Sequence, residues 1–134
     1  MKKLIIYTDG GARGNPGPAA TGVVVKNEQT KTISAFGEYL GEQTNNYAEY
    51  MALISGLKKA VELKADEVEC VVDSKLVCEQ LSGNWKVKEP TLQKLFVQAY
   101  NLAAGFKKVK YRHVLRHKNK EADAEVNKVL DKNT

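Results

Sequence analysis

The chain is poor in the residues that cross-link or anchor a protein. Its 134 residues include two cysteines, Cys70 and Cys78. Cys70 falls in the apolar stretch Val68–Val72 and Cys78 in the helical pattern after it. Their spacing matches no metal or redox motif, so both read as small core hydrophobes. No apolar run approaches the ~20 residues that cross a bilayer. After Met1-Lys2-Lys3 the first apolar run is also too short for a signal-peptide core, so cytoplasmic residence without a membrane partner is expected. There is no internal repeat and no low-complexity linker. What remains is an ordinary globular composition, 43% hydrophobic and 28% charged. That length forms one domain, 1–134, able to bury a core without staples.

Charge is unevenly placed. The net charge is +5, yet residues 1–67 carry eight basic and eight acidic side chains, whereas residues 68–134 carry thirteen and eight. Between Lys107 and Lys120 there are seven Lys or Arg and no acid. Such a run suits a polyanion such as nucleic acid. It equally suits a solvated strand edge protected by lysines.

Periodicity divides the chain into alternating strands and helices. Leu4–Tyr7 is a short β-forming run that stops at Asp9 and a glycine-rich segment, Gly10 to Pro18. Thr21–Asn27 and Thr30–Leu40 read as a hairpin turning at Asn27-Glu28-Gln29. From Asn45 to Lys64 the period becomes helical, with Tyr50, Ile54, Leu57 and Val61 on one face. Asn46 and Glu49 have the spacing of a capping box at its start. Asp66–Val72 returns to strand and ends at Asp73-Ser74, before a short helix through Leu81. The loop Asn84–Pro90 holds the single tryptophan, Trp85, between lysines. Thr91–Ala104 is a further helix with Gly105 as its closing C′ residue. Lys108–Leu115 is a strand, and a last helix starts near Lys120. This order, β-β-β-α-β-α-α-β-α, predicts a mixed α/β sheet with an antiparallel opening and later crossovers.

Four acids stand out by position. Asp9 ends the first strand and Asp73 the fourth, while Glu49 and Asp123 lie in the first turns of the long and last helices. Each has a structural role open to it: Asp9 as a turn residue, Glu49 in the capping box, Asp73 as an N-cap, and Asp123 against the helix dipole. Jointly those roles explain less. In open α/β sheets ligands bind beyond the carboxyl ends of the strands. Carboxylates gathered there repel one another unless a cation holds them. Oxygen-only donors select Mg²⁺ or Mn²⁺, and two such ions suit phosphodiester hydrolysis.

The segments Tyr7-Thr8-Asp9-Gly10-Gly11 with Asn15-Pro16-Gly17, Thr44-Asn45-Asn46-Tyr47-Ala48-Glu49, Val72-Asp73-Ser74 and Asn119-Lys120-Glu121-Ala122-Asp123 resemble the type 1 ribonuclease H family. The resemblance runs in order from about residue 1 to residue 130. It implies a ribonuclease H-like fold, with a five-stranded sheet of three antiparallel then two parallel strands, flanked by helices. It also implies an endonuclease that cuts the RNA strand of RNA–DNA hybrids with two ions, Mg²⁺ or Mn²⁺, held by Asp9, Glu49, Asp73 and Asp123. By the same resemblance, the backbone at Gly10, Gly11, Ala12 and Arg13, with Asn15, Asn45 and Asn46, would read the RNA 2′-hydroxyls. Thr44 would meet a phosphate of the DNA strand. The protein is expected to act as a monomer.

The chain departs from the family twice. Gly83–Thr91 is only a short loop where many members carry a basic protrusion, leaving Trp85, Lys86 and Lys88 as candidate DNA contacts. Packing that loop onto the domain is the favoured reading of Trp85. The loop before Asp123 is also short, so that His117 is a candidate auxiliary group, His113 falls in the strand, and Arg116 or Lys118 could instead neutralise charge. The rival from another class is a catalytically weak or inactive nucleic-acid-binding module on the same fold.

Overall fold

The computed structural model describes residues 1–134, and its elements follow the expected order. The strands are β1 (Lys3–Ala12), β2 (Gly17–Lys26), β3 (Thr32–Gln43), β4 (Glu67–Val72) and β5 (Lys108–His113). The helices are α1 (Asn45–Glu62), α2 (Lys75–Leu81), α3 (Pro90–Ala103) and α4 (Lys120–Asn133). A short 3-10 turn at Arg116–Lys118 lies between β5 and α4. The sheet order is β3-β2-β1-β4-β5, with β1, β2 and β3 antiparallel and β1, β4 and β5 parallel. This is the ribonuclease H-like mixed sheet.

Alternation along the strands sends two different surfaces to the two faces. Leu4, Ile6, Val23, Val25, Val68 and Cys70 point one way, into the main core with Leu53, Ile54 and Leu57 of α1 and Leu92 and Leu95 of α3. Cys78 joins that core, and both cysteines are free thiols. On the opposite face α4 lays Val126 and Leu130 against Ala20. This second layer is thin because the strands present little side chain there. Asp9, Gly22 and Gly37 are register partners across β1, β2 and β3. A Cβ on Gly22 would overlap the Ala122 carbonyl oxygen, and one on Gly37 would lie 2.7 Å from Val129 Cγ2. Two strand glycines thus let α4 settle against the row that carries Asp9.

Several boundaries differ from the periodicity reading. β1 does not stop at Asp9 but runs on to Ala12, because Gly10, Gly11 and Ala12 pair with Thr21, Ala20 and Ala19. The hairpin strands accordingly span residues 17–26 and 32–43 rather than 21–27 and 30–40. Thr44, not Asn46, caps α1, its Oγ1 accepting from the Tyr47 amide at 3.2 Å. Glu49 therefore lies beyond the first turn and is released from any capping box. Ser74, not Asp73, caps α2 by accepting from the Val77 amide. Gly105 follows α3 without the left-handed backbone of a glycine cap. β5 ends at His113, two residues early, where the chain leaves the sheet edge.

Candidate active site

The site lies at a fork in the sheet. Parallel pairing of β1 with β4 ends at Thr8 and Val72. The next residue on each strand is an aspartate, so Asp9 and Asp73 emerge side by side as the strands part. Asp9 stays fixed because β1 continues against β2. Asp73 stays fixed because Ser74 turns the chain at once into α2.

Glu49 arrives from α1 across a close backbone approach. A Cβ on Gly10 would overlap the Ala48 carbonyl group and the Glu49 amide nitrogen. With hydrogen there instead, the Gly10 amide donates to Glu49 Oε1 at 2.7 Å. Carboxylate oxygens of Asp9, Glu49 and Asp73 come within 4.8 Å of one another. Asp123, on the first turn of α4, lines the same cavity of about 460 Å³. It accepts at 3.3 Å from Asn127, one helical turn on.

The electrostatics fit a site built for cations. Asp9 is only 4% exposed. Burial, followed by repulsion from Asp73, pushes its carboxyl up to about 7. Glu49 is raised well above the ordinary range by burial and then by Asp9 and Asp73. Asp73 is raised by burial, with the Asn119 amide and the Arg116 guanidinium opposing the rise. An all-oxygen set of mutually repelling acids is the donor chemistry of a hard divalent ion. The residues present therefore fit Mg²⁺ or Mn²⁺.

The remaining expected residues divide among neighbouring surfaces. Gly10, Gly11, Ala12, Arg13 and Asn45 line the carboxylate cavity. The Arg13 side chain is held by Asp131 at 2.6 Å. Asn15, Thr44 and Asn46 line an adjoining groove. Asn45 Oδ1 accepts from the Ala12 amide at 2.9 Å, and Asn15 Oδ1 accepts from the Asn45 amide at 3.0 Å. Their oxygens are thereby committed to the fold, while their NH₂ groups make no hydrogen bond within the protein. Trp85, Lys86 and Lys88 are all exposed on the loop between α2 and α3, and Lys75 Nζ lies 5.9 Å from the Trp85 ring centroid. That loop is anchored by Gln80, which donates to the Lys86 carbonyl, and by Gln93, which donates to the Val87 carbonyl.

The structure does not bring the histidines to the carboxylates. His113 is exposed at the end of β5. His117 lines a different cavity with Tyr7, Lys26 and Lys118, while its neighbour Arg116 faces the carboxylates. The 3-10 turn sends these adjacent side chains in different directions. Accordingly, His117→Ala is expected to leave kcat within about threefold, against the hundredfold or larger loss typical of a proton-transferring group. Steady-state kinetics on a hybrid substrate checks this.

Two contributors, Asn127 and Asn119, lie outside the expected site residues. Asn127 supports Asp123, and an Asp–Asn pair four apart on a helix is the only local hint. Asn119 is 1% exposed, with Nδ2 donating to the Thr8 carbonyl at 2.8 Å. Its Oδ1 is buried without a partner, an arrangement that costs about 1–3 kcal/mol.

The sheet order and the acid cluster at its fork define a domain of the ribonuclease H-like class. A family model described as "Reverse transcriptase-like" matches residues 7–129. The chain is 49% identical over 130 residues to the bifunctional protein Rv2228c of Mycobacterium tuberculosis, covering 96% of this chain and 36% of that protein. It is 42% identical over 125 residues to ribonuclease HI of Halobacterium salinarum, covering 93% of this chain and 63% of the relative. The chain thus spans about a third to two thirds of the length of these relatives. Among solved structures, the RNase H1 of Halobacterium salinarum superimposes with a TM-score of 0.94 at 41% identity, covering 97% of this chain and 98% of the other. LC11-RNase H1, crystallised with an RNA/DNA hybrid, gives 0.91 at 44% identity, with 96% and 97% covered. The chain belongs to the type 1 ribonuclease H family.

Proposed function

We propose that the chain is an endonuclease that hydrolyses the RNA strand of RNA–DNA hybrids, leaving 3′-hydroxyl and 5′-phosphate ends. The observation that carries this reading is the convergence of Asp9, Glu49 and Asp73 within 4.8 Å, with Asp123 on the same cavity. The hybrid bound to LC11-RNase H1, a family member of similar fold, supports the substrate class.

Asp9, Glu49, Asp73 and Asp123 would hold two divalent ions, with Asp9 central because it faces each of the other three. When bound, such ions lower the pKa of a water nucleophile and stabilise the leaving oxygen. The protein's own groups set the rest. The nearly side-chain-free floor at Gly10 and Gly11 lets a sugar–phosphate backbone approach the main chain. The NH₂ groups of Asn15, Asn45 and Asn46 donate toward 2′-hydroxyls, which separates RNA from DNA. Thr44, which lines a groove with Asn15 and Asn46, would receive a phosphate of the other strand. Trp85, Lys86 and Lys88 form an exposed basic-aromatic edge for the DNA strand, and Arg116 offsets acid charge inside the cleft. No second copy is needed to complete the acid set, which supports a monomer. No helix is long and apolar enough to cross a membrane.

Metal removal tests the reading. Protein stripped with chelator is expected to leave a labelled hybrid intact, and added Mg²⁺ or Mn²⁺ to restore cleavage with 5′-phosphate ends. Cleavage that persists in excess chelator would contradict it.

A further inference from the structure

The three segments that carry Asp9, Asp73 and Asp123 meet at one buried side chain. Asn119 Nδ2 donates to the Thr8 carbonyl, one residue before Asp9, at 2.8 Å. The same nitrogen lies 3.4 Å from Asp73 Oδ2. Through its backbone Asn119 opens α4, its carbonyl accepting from the Asp123 amide at 3.1 Å. Its own amide donates to the Arg116 carbonyl at 2.9 Å, which ties in the turn that aims Arg116 at the cleft.

The chemistry of this side chain is one-sided. Nδ2 is used and Oδ1, equally buried, has no partner. A residue kept only for stability would serve better without an orphaned acceptor, since an apolar group of the same shape avoids desolvating it. Asn119 is also an N-cap that makes no side-chain capping bond. Its amide instead reaches across the chain to the fork between β1 and β4. That fork is where the sheet's own ladder stops and no further rung holds the two strands together.

We propose that Asn119 is a positioning residue: its amide clamps the parted ends of β1 and β4 to the start of α4, and so sets the spacing of the carboxylates and their affinity for divalent cations. This rests on the reading of the acid cluster as a cation site. It assigns Asn119 no contact with substrate.

The test uses Asn119→Leu and Asn119→Ala in the full chain. The variants are melted without metal and titrated with Mn²⁺ by calorimetry, with hybrid cleavage measured in parallel. Asn119→Leu is expected to melt within a few degrees of wild type in chelator. Both variants should bind Mn²⁺ roughly tenfold or more weakly and lose kcat to a similar degree, while KM for hybrid moves less than about threefold. Folded variants with wild-type Mn²⁺ affinity would overturn the proposal. So would variants that fail to fold, or that lose affinity only in proportion to unfolding, since Asn119 would then be an element of stability alone. The wild-type titration separates the two levels: if wild type bound no Mn²⁺, the functional reading itself would fail.

Discussion

Asp9→Asn is expected to reduce hybrid cleavage by a factor on the order of a thousand or more while making the metal-free protein more stable. The first effect follows from the place of Asp9 at the centre of the acid set, where loss of one anionic oxygen removes the group facing all the others. The second follows from its raised carboxyl, at about 7 in the folded chain against an ordinary 3.8. Between those two values the folded, metal-free chain holds more protons than the unfolded chain. Its stability therefore falls as pH rises through that window, by up to about 1.4 kcal/mol per pH unit for one proton. An asparagine removes that dependence. Melting wild type and variant in chelator should show the variant's advantage widening from pH 4 to pH 7, toward ~2–4 kcal/mol. Divalent metal should reverse the order, because the cation replaces the proton for wild type alone. A variant that cleaves normally, or a stability gap independent of pH, would contradict the assignment.

Gly10→Ala is expected to damage both fold and site. The added Cβ would overlap backbone atoms of Ala48 and Glu49, and hydrogen-bonded backbone near the start of a packed helix cannot move aside as a side chain can. Helix α1 must shift from β1, at a cost of about 1–3 kcal/mol, seen as a lowered melting temperature. The same shift stretches the 2.7 Å bond from the Gly10 amide to Glu49. Displacing a ligand group by ~1 Å is enough to lose on the order of a hundredfold in kcat. Gly11→Ala is the control. A Cβ there meets only Val126 Cγ1 at 3.6 Å, an ordinary contact, so the melting temperature should change little. An equal fall in melting temperature for the two variants would refute the close-approach explanation.

These two positions also show what could be read from the sequence. The order of strands and helices was legible because each element buries one face and its period announces it. Asp9 and Asp73 were legible as a pair because two adjacent parallel strands that each lead into an Asp present both acids beyond the carboxyl end of the sheet. Helix α1 was legible as an element, but not the freedom of Glu49. Asn46 and Glu49 have capping-box spacing, and only the backbone at Thr44 shows that the helix starts earlier. The turn propensity of Asp-Gly-Gly points to an end of β1 at Asp9, which pairing with β2 overrides. Gly22 and Gly37 lie inside strands, a known sign of close approach, yet which helix approaches is settled only by the tertiary packing of α4. The opposite fates of Arg116 and His117 depend on a three-residue 3-10 turn that no periodicity reveals. Asn119 stood in a recognised motif without a visible role, because its partners lie over a hundred residues away at Thr8 and 46 residues away at Asp73.

The measurement that bears most directly on the central claim is a cleavage assay with each strand labelled separately. It would compare an RNA–DNA hybrid, double-stranded RNA and a DNA duplex, in Mg²⁺ and in Mn²⁺. Internal cuts in the RNA strand of the hybrid, an intact DNA strand beside it and an intact DNA duplex are the predicted result. A hybrid that is bound yet left whole in both metals would contradict it, and would make the chain a binding module on a nuclease fold.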